Sequence, residues 1–67
     1  MIIDIERLRK DLIDYYGTAM NNGFPAAVID LSKAESASEQ TLIKMAEEED
    51  IDLNKYVRDI GDSPNYN

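Results

Sequence analysis

A compact all-α domain of three to four short helices is the fold that this 67-residue chain predicts, on three observations. Apolar residues recur at intervals of three and four in three separate segments, which is the period of a helix face. Capping residues and stop signals bracket those segments. No segment alternates apolar and polar residues over the length a half-buried strand needs. The expected helices run from about 4 to 20, 25 to 35, 38 to 49 and 52 to 60. Residues 1–61 form one helical domain, and residues 62–67 a flexible tail.

The first helix is carried by Ile5, Leu8, Leu12, Tyr15 or Tyr16, and Ala19. Asp4 is a suitable N-cap, and Glu6 places a negative charge in the first turn, where the helix dipole favours it. Asn21, Asn22 and Gly23 form a stop signal, because Asn and Gly tolerate the left-handed conformation that ends helices. Gly17 lies inside this helix, where glycine costs up to ~1 kcal/mol relative to alanine. Close approach by a second helix is the expected reason. The second segment, Phe24 to Leu31, is apolar except for Asp30. Pro25, Ala26 and Ala27 make it a helix, since proline is suited to a first turn. With so few polar residues it is expected to be the central and most buried element.

The third helix opens with Ser36 and Glu39 at capping-box spacing, or equally with Ser38 as N-cap. Leu42, Ile43, Met45 and Ala46 are its buried stripe, and it ends near Glu49. In the fourth, Asp52 caps, Leu53, Tyr56, Val57 and Ile60 fall on one face, and Gly61 stops the helix.

Composition removes several classes of function. There is no cysteine, which excludes disulfides, thiolate catalysis and zinc–sulfur sites, and no histidine. Ile, Leu, Val and Phe make up about 24% of the chain, above the ~20% below which a charged chain stays unfolded. The net charge is −7, and most of the excess lies after residue 33. A field of that sign repels phosphate, so neither nucleic acid nor an anionic membrane surface is expected as a partner. A basic protein partner is permitted. The start of the chain lacks the apolar core of a signal peptide, and no run is long enough to span a membrane, so a cytoplasmic location is expected.

The stretch Asp50, Asp52, Asn54 imitates the first ligands of a calcium loop. The imitation fails at Lys55, where such a loop needs glycine, and at Gly61, where it needs a bidentate glutamate. Helix caps around an apolar stripe explain the same residues. No metal, cofactor or catalytic residue is therefore expected. Asp30, among apolar neighbours, is the acid best placed for proton transfer, but pointing outward, capping a turn or pairing with Arg7 or Arg9 is the plainer expectation. Of Tyr15 and Tyr16, one ring is expected in the core and one at the rim, and an aromatic anchor at an interface is the alternative. The helical pair formed by the third and fourth segments has only Lys55 and Arg58 as cations on its second arm, too few for docking on a phosphate groove.

"DYYGTAMNNGFPAAVIDL" followed by "ASEQTLIKMAEEEDIDLNKYV" resembles a group of small, uncharacterised helical proteins of bacteria. The resemblance covers most of residues 4–57 and implies a helical fold and a cytoplasmic setting, with no activity attached. Residues 42–57 alone look like the helix–turn–helix end of leader domains from ribosomally made peptide precursors. Those leaders usually have glycine where this chain has Asp50, and continue into a modifiable core peptide.

These readings converge on a small, non-enzymatic interaction or regulatory module acting through an acidic helical surface. The candidate partner-binding residues are Glu47, Glu48, Glu49, Asp50 and Asp52. A leader-like domain, or a small-ligand or metal binder, is the alternative. So small a core calls for support, and a homodimer is expected, with Leu8, Leu12, Tyr16 or Met20 in the contact.

Overall fold

The computed structural model describes residues 2–58, whose element order is β1 (Ile2–Ile3), α1 (Ile5–Asn21), α2 (Ala27–Ser36), α3 (Glu39–Glu48), a 3-10 turn (Leu53–Tyr56) and β2 (Val57–Arg58). The fold is small and mostly α, and a two-stranded antiparallel ribbon joins the two ends of the described chain. Ile2 faces Arg58 and Ile3 faces Val57 across it.

Helix α1 starts where Asp4 accepts a hydrogen bond from the Arg7 amide at 3.2 Å. It ends in a Schellman motif. Phe24 N–H donates to the Ala19 carbonyl, Gly23 N–H donates to that of Met20, and Gly23 takes a φ of +99°. Leu8, Leu12 and Tyr16 from α1 meet Ala27 and Ala34 from α2, Leu42, Met45 and Ala46 from α3, and Tyr56. This single cluster is the core, and α1 packs most extensively on α2.

Gly17 is less constrained than expected. A Cβ there would meet only Leu31 Cδ1 of α2, at 3.8 Å, which is ordinary van der Waals contact. The helices approach at Gly17, but not so closely that glycine is required.

Helix α2 corrects a second expectation, since it is not the most buried element. Only Ala27 and Ala34 are buried, while Phe24 just before it is 66% exposed, Val28 45% and Ile29 60%. The helix has no side-chain N-cap. Its other end is held by Arg9 of α1, whose guanidinium donates to the Ala34 and Ala37 carbonyls, both at 2.9 Å, and to that of Glu35 at 3.4 Å. Arg9 is thus committed to backbone instead of to Asp30. Arg7 lies over the Tyr56 ring, 5.3 Å from its centroid.

Of the two serines that could cap α3, Ser38 does so, accepting from the Thr41 amide at 3.3 Å. The helix ends in a second Schellman motif, with Ile51 N–H donating to the Ala46 carbonyl and Asp50 N–H to that of Glu47. Here the left-handed residue is Asp50, at φ +58°.

The expected fourth helix shortens to one 3-10 turn. Asp52 caps it, accepting from Asn54 N–H at 3.0 Å. At Val57 the backbone turns extended and enters the ribbon. The apolar spacing from Leu53 to Val57 is helical, but the N-terminal segment offers a competing set of bonds. Asp4 N–H donates to the Tyr56 carbonyl at 2.6 Å, and the Tyr56 hydroxyl donates to Asp11 at 2.5 Å. β-Branched Ile2, Ile3 and Val57 suit a ladder. Ile60, Gly61 and the tail expected at 62–67 lie outside the described residues.

Candidate functional site

Four of the five acids that sequence singles out are exposed, and the fifth, Glu49, is partly buried. Glu47 and Glu48 are exposed on the last turn of α3, Asp50 is exposed at the left-handed position, and Asp52 is occupied with its cap. Glu49 turns back across the molecule towards α1. Its Oε1 accepts from the Tyr15 hydroxyl at 3.1 Å and its Oε2 from that of Tyr16 at 3.2 Å.

The self-association face is also corrected. Leu8 and Leu12 are fully buried and Tyr16 nearly so, and only Met20 of the four reaches the surface, at 36% exposure. The stripe that sequence offers to a partner is consumed by α2 and α3 of the same chain.

The apolar surface that does remain lies at the α1–α2 turn. Tyr15 (47% exposed) and Phe24 border two adjoining grooves. One, of about 420 Å³, runs past Asp14, Thr18 and Asn22. The other, of about 350 Å³, is lined by Tyr15, Tyr16, Phe24, Asp30 and Glu49, with alanines between them. From Phe24 the exposed apolar strip continues into the first turn of α2 through Val28 and Ile29. The expectation of one tyrosine inside and one at the rim holds: Tyr16 is 4% exposed, and the two rings stand edge to face, 5.3 Å apart and inclined at 74°.

This corner is electrostatically one-sided. Burial first, then the charge of Glu49 and its hydrogen bond, raise the Tyr16 hydroxyl well above the usual tyrosine pKa, and Asp30 adds to the effect. The hydrogen bond to Glu49, followed by its charge, raises Tyr15. Both hydroxyls therefore remain protonated at ordinary pH, as donors to Glu49. Neither groove is lined by Lys or Arg among the described residues.

Phe24, Val28 and Ile29, beside Asp14 and Asp30, are the residues that sequence reasoning missed. The one available signal was the run from Phe24 to Ile29, which has no polar face and which a chain this short has little material to cover. Among the described residues no group of carboxylates is arranged to hold a metal ion, and no helix is long and apolar enough to cross a membrane. Comparison with protein-family models, with curated proteins and with solved structures finds no match to this chain.

Proposed function

We propose that this protein is a non-enzymatic interaction module that binds a protein partner through the apolar, acid-rimmed face at the α1–α2 turn. The observation that carries the reading is the joint exposure of Tyr15, Phe24, Val28 and Ile29 beside Asp14, Asp30 and Glu49. Exposed aromatic and aliphatic side chains ringed by polar groups have the composition of an interface hot spot. The acids select the partner: apolar side chains flanked by Lys or Arg complement this face. A second copy complements it less well, because it would bring the same acidic rim to the contact. The exposed Glu47 and Glu48 extend the acidic field, and their contribution is to association rate and its salt dependence. A cytoplasmic setting accords with a cysteine-free chain.

The test is a photo-crosslinking residue placed at Phe24 or Ile29, with Glu39 on the exposed start of α3 as the control position. The captured protein is identified, purified and titrated against wild type and Phe24→Ser. Capture at Phe24 or Ile29 only, with affinity reduced about tenfold or more in the variant, is expected for a hot-spot aromatic. Equal capture from Glu39, or an affinity indifferent to Phe24, refutes the reading.

A leader-like role has one observation in its favour: Asp50 takes the left-handed conformation at the place where the leaders usually have glycine. Capture of a peptide-modifying enzyme through α3 and residues 53–57, and not through Phe24, would favour that role instead.

A further inference from the structure

We infer that the groove between Tyr15, Tyr16, Phe24, Asp30 and Glu49 receives an arginine side chain of the protein partner. The inference rests on the reading above and specifies what that partner must present. Three features argue for it. At about 350 Å³ the groove is at the small end of ligand sites, which run from about 300 to 1,000 Å³, so it suits one long side chain. Tyr15 and Phe24, 47% and 66% exposed, offer aromatic surface along it, and Ala19, Ala26 and Ala27 contribute only methyl groups, so these two rings are accessible to a planar cation. Its charge is wholly negative: Asp30 and Glu49 line it, and no cation of this chain does so among the described residues.

Glu49 is already positioned by the two tyrosine hydroxyls. Each carboxylate oxygen can accept a second bond, so this use leaves it able to bind a donor. A guanidinium matches these walls better than an ammonium. It is planar, stacks on aromatic rings and donates in a fork to carboxylates. Its aliphatic stem would lie along Phe24, continuous with the apolar strip of Val28 and Ile29.

The probe is N-acetyl-arginine N-methylamide, titrated into the isotopically labelled full chain and followed by amide chemical shifts. Its neutral citrulline counterpart, the lysine counterpart and guanidinium ion are titrated in parallel. Saturable shifts centred on Tyr15, Tyr16, Ala19, Phe24, Asp30 and Glu49 are expected. Binding should weaken roughly threefold or more in Asp30→Asn, in Glu49→Gln and with the citrulline probe. Each variant is first checked by its thermal melt, so that misfolding is not mistaken for lost binding. The inference is overturned by equal binding of citrulline or lysine. It is also overturned by guanidinium ion alone binding as tightly as the full side chain, or by unsaturated shifts spread over Glu47 and Glu48. The two proposals fail separately. A partner whose affinity depends on Phe24 but not on Asp30 or Glu49 would sustain the interaction face and remove the arginine groove. Arginine binding without capture at Phe24 would do the reverse.

Discussion

Arg9→Ala should loosen helix α2 before anything else in the molecule. The helix has little else to hold it. Two alanines are its only buried residues, and its N-terminus has no side-chain cap. Arg9 donates two hydrogen bonds of 2.9 Å and one of 3.4 Å to carbonyls at or just beyond its C-terminal end. A hydrogen bond from a charged donor is worth about 1.5–3 kcal/mol. These are only partly buried, and water would satisfy the freed carbonyls, so the three together should be worth about 2 kcal/mol rather than their simple sum. Against the ~3–5 kcal/mol that a core of this size supplies, the loss is large. The expected fall in melting temperature is roughly 10 °C, from 4–8 °C per kcal/mol for a domain this small. Urea denaturation measures the total, and amide hydrogen exchange locates it. Protection should fall first in Ala27–Ser36, with α1 and α3 retaining more. Arg9→Lys, which keeps the charge but replaces the Nη1 that makes all three bonds by an ammonium on a shorter stem, should lie between the two and keeps the test readable if the alanine variant unfolds. A change in Arg9→Ala within about 0.5 kcal/mol, the range of an ordinary surface substitution, would refute the reasoning. So would a loss of protection spread evenly over the three helices.

Three further outcomes follow from the backbone and the tyrosines. Asp50→Gly should stabilise the chain by about 0.5–1 kcal/mol, because glycine occupies φ +58° without strain and one negative charge leaves a helix C-terminus; a lower urea midpoint would contradict this. Gly17→Ala should also raise the midpoint, by up to about 1 kcal/mol, since the added methyl meets only ordinary contact; destabilisation would mean that α2 lies closer than described. Stability should hold steady up to the ordinary tyrosine pKa of 10 and fall as pH rises further. Tyr15, Tyr16 and Tyr56 all have folded pKa values raised above their unfolded ones, so the unfolded chain loses those protons first. Comparing urea midpoints at pH 8 and pH 11 in wild type and Tyr16→Phe tests this. The variant should show the flatter dependence, and identical slopes would sink the idea.

What could be read from the residues was local in origin. Asp4, Ser38 and Asp52 cap where their residue types and positions indicate, and Asn22–Gly23 ends α1. The stripes through Leu8, Leu12 and Tyr16 and through Leu42, Met45 and Ala46 are the stripes that are buried. What could not be read was the covering of each stripe. Sequence offered Leu8, Leu12 and Tyr16 to a second copy, and the chain itself uses them. It expected the apolar run after Phe24 to be central, and the short chain leaves Phe24, Val28 and Ile29 bare. The acids from Glu47 to Asp52 look alike in sequence, yet only Glu49 is turned inward to the tyrosines.

By itself, the sequence determined the helical class, the caps and buried faces of α1 and α3, and the absence of thiol and imidazole chemistry. These follow from dihedral preferences and hydrogen bonds that act within about one turn of helix. Tertiary structure decided the ribbon that replaces the fourth helix, the exposure of α2 and the groove at Tyr15. Each of these depends on partners far apart in the chain, such as Arg9 with Ala34, Tyr16 with Glu49, and Tyr56 with Asp11. Residues Leu53–Val57 have helical spacing, and they leave the helix because the ladder bonds and buried tyrosine supplied by the N-terminal segment outweigh a weak local preference.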